Sequence, residues 1–249
     1  MISRRESFGV LGVSGAFLAR LDSSAKQGGA AAAQSPLAPA FAGKHEVVPL
    51  PFDAKALKGL SEKLLVSHHD NNYAGAVKNL NKVELELSKT NADTPAFVVG
   101  GLQQSALQFG NSMVLHELYF ANLGGDGLGS EGKSSAAMGD LLASSYGSLA
   151  RWEELFRATG MSLGGGSGWV TLAYELSGNA VSIVWSGNHT QHRAASVPLL
   201  VMDMYEHAYQ MDYGAGAAKY VEAFFANLHW GEVNRRLERA QKAAATLRG

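Results

Sequence analysis

At Gly164-Gly165-Gly166-Ser167-Gly168 the hydrophobic pattern changes from helical to extended, and this switch limits the fold more than any other feature. The segments before it have a helical period. After it, Trp169–Leu176, Ala180–Ser186 and Val197–Met202 read as strands, being short, apolar and rich in β-branched and aromatic residues. Ser177-Gly178-Asn179 between the first two has the chemistry of a hairpin turn. Residues 216–246 return to a helical pattern. Helices first, then a sheet, then helix predicts an α+β fold rather than an alternating parallel α/β fold.

Ahead of the switch, Pro49 and Pro51 mark an extended lead-in. The pattern is helical from Asp53 to about Lys89, with Leu57, Leu60, Leu64 and Leu65 on one side and Ser61 as a cap for a new start. A second helix runs from about Pro95 to Ala121, and the short connection predicts an antiparallel hairpin. Gly124 to Gly132 separates the halves, and Ser144 to Thr159 reads as one more helix. The expected organisation is a helical hairpin domain over 44–126 and a C-terminal α/β domain over 127–249, with a three-stranded antiparallel sheet. Residues 1–43 stand outside the fold. Ser3-Arg4-Arg5-Glu6-Ser7-Phe8 resembles the twin-arginine export signal of bacteria, and the weakly apolar run Phe8 to Leu18 is too short to span a bilayer. Small residues at Gly28–Gln34 and Ala38-Pro39-Ala40 offer cleavage sites. The expectation is export to the periplasm; the alternative is a cytoplasmic protein with a polar tail.

With no cysteine, the chain has no disulfides, thiolate metal sites or cysteine nucleophile. A net charge of −1 argues against nucleic-acid binding and gives no strong field toward a membrane surface. No stable membrane anchor is expected. Any metal must be held by His, Asp, Glu or water, a set that suits iron, manganese or zinc. Asp203-Met204-Tyr205-Glu206-His207-Ala208-Tyr209 sets a carboxylate and an imidazole four residues apart, on one face if both are helical. His68 and His116 lie upstream in helical segments. Two other chemistries are weaker. As a phosphate cradle, the glycine run lacks a P-loop lysine and precedes a strand. Zinc hydrolysis through His68-His69 with Asp203 and His207 lacks an HExxH-type base.

Four motifs in order resemble the iron/manganese superoxide dismutase family over about residues 47–240: His68 to Asn81, His116 with Tyr119-Phe120-Ala121-Asn122-Leu123, Gly166-Ser167-Gly168-Trp169, and Asp203 to Tyr209. The resemblance implies a helical hairpin docked on an α/β domain. It implies one Fe or Mn ion per subunit held by His68, His116, Asp203 and His207, with superoxide as substrate. Glu206 matches a residue that reaches across a twofold interface, so a homodimer or tetramer is expected through that region. The funnel above the metal departs from the family pattern. Asn72, Ala76 and Gln210 stand where the family has His, Tyr and Tyr. Asn72 and Gln210 are expected to pair as amides there, with Tyr73 supplying a phenol from a neighbouring position. Ser112 is too short to serve as the outer hydrogen-bonding Gln, which leaves His189 as the expected partner of metal-bound solvent. Arg193 and Lys78 are candidates for steering the anion. The enzyme is the leading expectation. The alternative is a metal-binding relative with weak or no dismutase activity.

Overall fold

Ser61 starts the first long helix. Its Oγ accepts a hydrogen bond from Leu64 N at 3.1 Å, while its own N–H and O–H donate to the Asp212 carboxylate. In this computed structural model, which describes residues 37–125, 127 and 135–248, residues 53–60 form turns. The helix predicted from Asp53 therefore begins at Glu62, because Gly59 takes a left-handed φ of 75° and Ser61 resets the chain. Helix α1 (Glu62–Ser67), a π-helical turn (His68–Tyr73) and α2 (Ala74–Leu87) run on one another. Helix α3 (Ala96–Ala121) follows Pro95 and packs back on α2 to complete the hairpin. The twin-arginine-like stretch, the run Phe8 to Leu18 and Gly28–Gln34 lie outside the described residues.

Two stretches read as single helices are each divided. The predicted Ser144–Thr159 helix is split between α4 (Ala136–Tyr146) and α5 (Leu149–Met161). Gly147 closes α4 at φ 85°, and Ser148 Oγ caps α5 by accepting from Arg151 N. The 216–246 segment is α7 (Ala217–Ala226) and α8 (Trp230–Arg248). The chain breaks there at Asn227, whose side chain pairs with both backbone groups of Lys58 at 2.8 and 2.7 Å.

Strands β1 (Trp169–Glu175), β2 (Val181–Ser186) and β3 (Ser196–Asp203) form an antiparallel sheet in the order β2-β1-β3. Central β1 is buried from Trp169 to Tyr174. Trp169 pairs with Ser186 on one side and Asp203 on the other, so the start of β1 and the ends of both neighbours share one edge. Past Asp203 the chain makes a 3₁₀ turn (Glu206–Ala208) and the short α6 (Gln210–Tyr213). Asp203 and His207 consequently do not share a helix face. Asp203 is the last residue of a strand, its Oδ1 accepting from Tyr205 N at 2.8 Å, and that turn swings His207 back toward it.

Asn122, at the end of α3, joins the halves: its Oδ1 accepts from Val201 N of β3, and its carbonyl accepts from His229 N. The core between helices and sheet includes Leu65, Tyr119, Phe120, Trp152, Phe156, Trp169, Leu200, Tyr220 and Phe224. Among the described residues no helix is long and apolar enough to cross a membrane.

Candidate metal centre

Four side chains from four separate places converge on one point. His68 opens the π-helical turn, His116 sits in the last turns of α3, Asp203 ends β3 and His207 lies in the 3₁₀ turn. One donor atom from each falls within a group no more than 4.8 Å apart. Asp203 Oδ2 is the hub, at 3.1 Å from His68 Nε2, 3.2 Å from His207 Nε2 and 3.6 Å from His116 Nε2. His68 and His116 are 1% exposed and Asp203 is fully enclosed. A widened turn inside a helix recurs at functional sites because it re-aims side chains that a regular helix would send elsewhere. Here His68 turns inward, while its neighbour His69 turns out to bond Val48 O at 2.8 Å. The zinc reading that paired the two histidines loses His69 on this account.

Tautomers and charges suit a cation. The Ser112 carbonyl can only accept, so His116 Nδ1, 2.6 Å away, carries the proton. That leaves the His116 Nε2 lone pair aimed at the group, buried and without a hydrogen-bond partner. A buried acceptor beside a carboxylate oxygen, with no donor between them, is costly unless a positive ion sits there. Burial lowers the His116 pKa to about 3, and burial likewise lowers that of His68 against the opposing pull of Asp203. Burial alone would raise the Asp203 pKa, but the charge and hydrogen bonds of His207 and His68 hold it well below the usual carboxylate range. At neutral pH the interior site offers one carboxylate beside the neutral imidazoles of His68 and His116. This is a donor set for a divalent or trivalent first-row ion.

Above the group lies a cavity of about 250 Å³ lined by Asn72, Ala76, Gln108, Ser112 and His189, among others, with His116 and His207 at its floor. His189 is held from two directions. Trp169 Nε1 donates to its Nδ1 at 2.9 Å, and Asn111 Nδ2 donates to its carbonyl at 2.6 Å. An indole nitrogen only donates, so the neutral His189 ring keeps its proton on Nε2. Tyr205 stacks on that ring at 4.8 Å between centroids.

Family profiles match both halves of the chain: the alpha-hairpin domain of iron/manganese superoxide dismutases over residues 44–124, and their C-terminal domain over 134–236. The chain belongs to the iron/manganese superoxide dismutase family. An iron superoxide dismutase of Cupriavidus metallidurans is 44% identical over 187 residues, covering 75% of this chain and 92% of that protein. A manganese superoxide dismutase of Halobacterium salinarum is 32% identical over 202 residues, covering 79% and 96%. An iron superoxide dismutase of Saccharolobus solfataricus is 30% identical over 201 residues, covering 79% and 94%.

Within this family member, the residues expected to rebuild the funnel separate. Asn72 and His189 line the cavity; Tyr73 and Gln210 are not among its lining residues. Tyr73 is buried, and its hydroxyl donates to Glu117 Oε1 at 2.9 Å and accepts from Val48 N at 2.9 Å. The expectation that it supplies a phenol to the funnel is corrected: the hydroxyl is committed to the lead-in segment and α3. Gln210 is exposed on α6, so within one chain it does not pair with Asn72. Arg193 is ion-paired to Glu175 at 3.0 Å and, like Lys78, lies off the cavity lining. Glu206 is exposed.

Gln108, Asn79 and Phe109 line the cavity and were not expected there. Helical spacing held the signal for one of them, since Ser112 and Gln108 precede His116 by one and two turns. Tyr220 was also missed; its hydroxyl donates to the Asp203 carbonyl at 2.6 Å and fixes the end of β3 from behind.

Proposed function

We propose that the chain is a superoxide dismutase that holds one Fe or Mn ion through His68, His116, Asp203 and His207. The observation that carries the reading is the convergence of three imidazoles and one buried carboxylate on a single point, with an unsatisfied ring nitrogen aimed into it. When bound, the ion supplies the one-electron exchange by which two superoxide anions and two protons become dioxygen and hydrogen peroxide. The protein's own part is positional and electrostatic. Ser112 O fixes the His116 tautomer that presents Nε2, and Tyr205 N occupies Asp203 Oδ1 so that Oδ2 alone faces the histidines. Ala76 and Ser112 keep the approach wide enough for a small anion, while amides at Asn72 and Gln108 hydrogen-bond without titrating. Among the cavity-lining residues apart from His116 and His207, His189 is the one with a titratable ring; burial lowers its pKa, and the neutral ring presents its proton from Nε2.

The loss of a funnel phenol at Ala76 favours the second reading, a metal-binding relative with weak turnover. The test loads the protein with iron and, separately, manganese, and measures dismutation per bound ion. Turnover with at least one metal supports the enzyme; full metallation with no turnover by either supports the second reading. Export by the twin-arginine route to the periplasm rests on Arg4-Arg5 and the weakly apolar run behind them. Replacing both arginines with lysine is expected to retain the protein in the cytoplasm on cell fractionation. A subunit contact through Glu206 rests on its exposure beside His207. Glu206→Ala is expected to weaken assembly in sedimentation, and an unaltered assembly would count against that role.

A further inference from the structure

Two consecutive residues of α3 hold two rings of the site in place. The Ser112 carbonyl accepts from His116 Nδ1 at 2.6 Å, and Asn111 Nδ2 donates to the His189 carbonyl, also at 2.6 Å. A carbonyl only accepts, so the amide nitrogen of Asn111 is the end that faces it. His189 belongs to the loop between β2 and β3. That loop is laced to itself and to its own half of the chain. Gly187 N donates to Gln191 Oε1, Ser186 Oγ to the Gln191 carbonyl, Thr190 N to Asn188 Oδ1, and Ser167 Oγ to the Gly187 carbonyl. Trp169, which donates to His189 Nδ1, also stands in the sheet. Among the described residues, Asn111 makes the one hydrogen bond that joins this loop to the hairpin. Loops shift more readily than the elements they connect. The bond from Trp169 fixes the rotation and tautomer of the His189 ring, but leaves free how far the loop stands from α3. Asn111 sets that distance, and with it the 6.4 Å between the ring centres of His189 and His116.

We propose that Asn111 is a positioning residue for the reaction, acting through His189 by holding that ring at a fixed reach from the ligand group. The inference rests on the proposed reading of His189 as the titratable ring of the cavity. Asn111 is half-buried and is not among the cavity-lining residues, so it does not itself meet a substrate there. Among the described residues its side chain makes no other hydrogen bond, so the contact with the loop is its polar task. A group that passes or presents a proton must stand within hydrogen-bond reach of its target, and a displacement of about 1 Å can lose roughly a hundredfold in rate. A loop with a single tether to the opposite half is where such a displacement arises. An asparagine suits the position because its amide does not titrate and holds the same bond on either side of neutral pH.

The test is a double-mutant cycle on the full, metal-loaded chain: wild type, Asn111→Ala, His189→Ala and the two together. Two quantities are read, turnover of superoxide per bound ion and the affinity for azide, a small anion followed by the absorbance of the loaded metal. Each single variant is expected to lose roughly tenfold or more in turnover. Azide is expected to bind roughly tenfold more weakly to each, the worth of one hydrogen bond to an anion. The double variant is expected to be no worse than His189→Ala in either quantity, because Asn111 has nothing left to position. Wild-type behaviour of Asn111→Ala overturns the proposal, and so do losses that multiply in the double variant, the mark of a residue that acts on the fold alone. Wild-type behaviour of His189→Ala overturns the reading of His189 and this inference with it, an outcome seen without touching Asn111. A wild type that holds no metal does the same to the ligand reading. Should Asn111→Ala fold or load poorly, Asn111→Leu keeps the side-chain volume without the donor and takes its place in the cycle. Failure of both to load metal as wild type does overturns the proposal in favour of a purely structural residue.

Discussion

Asp203 Oδ2 lies 3.1 Å from His68 Nε2 although 135 residues separate them, and neither side chain has any exposed surface. The contact ties the π-helical turn of the hairpin to the end of β3, so the candidate ligand group itself bridges the two halves. Asp203→Asn keeps the shape but removes the only anionic donor of the four. It is expected to lower bound metal per chain at least tenfold, by elemental analysis, with the metal-free fold retained. Asp203→Ala also leaves His68 Nε2 and His207 Nε2 without their partner and is expected to cost about 1–3 kcal/mol in chemical denaturation. Wild-type metal content in the Asn variant would refute the ligand role.

The metal-free protein is expected to weaken in acid. Burial lowers the His116 pKa to about 3 and lowers that of His68 as well, whereas an unfolded histidine titrates near 6.5. Between those values the unfolded chain binds more protons than the folded one, so stability rises with pH there. Above about pH 6.5 the curve is flat. Below it each histidine removes on the order of 1.4 kcal/mol per pH unit. Asp203, whose folded pKa is depressed, adds a loss of the same sign once pH falls through about 3.9. Urea unfolding of stripped protein from pH 8 to 5 measures this, and a His68→Gln, His116→Gln variant should flatten the slope. An unchanged slope in that variant would sink the account.

How far these features were legible in sequence depended on range. The strands were readable because Trp169–Leu176 and Val197–Met202 are continuous apolar runs between strong breakers, and the structure moves their ends by a residue or so. Helix length was read too generously wherever one residue overrides a good apolar period, as Gly59, Gly147 and Asn227 do. The Asp203–His207 spacing suggested a helix because four residues match one turn, but a strand end followed by a tight turn closes the same gap. Tyr73 shows the limit most clearly. Its identity and position say nothing of which way a widened turn sends it, and only the lead-in at Val48 settles that.

Tyr73→Phe separates packing from chemistry. The ring stays buried, while Val48 N loses its acceptor and Glu117 its donor. The expected cost is roughly 1–3 kcal/mol of stability. Turnover per bound metal is expected to match wild type, because the hydroxyl does not line the cavity. A large fall in that turnover at full metallation would return the phenol to the funnel.

Gly168→Ala should be far more damaging than Gly165→Ala, though both glycines have positive φ and lie three residues apart in one loop. At Gly165, φ is 77° and a Cβ would meet nothing within 4 Å, so only backbone strain of about 1–2 kcal/mol is added. At Gly168, φ is 144° and a Cβ would fall 2.2 Å from Ser186 O, a backbone atom of β2 that cannot turn aside. The strand edge must open where Trp169 pairs with Ser186, and the indole that holds His189 moves with it. The expected loss is above about 3 kcal/mol, at the severe end for a single substitution. Thermal unfolding of the two variants side by side gives the stability comparison. Turnover of whatever Gly168→Ala protein folds and loads metal should fall too, since its His189 is no longer held. Normal turnover there would show that the Trp169–His189 bond is dispensable.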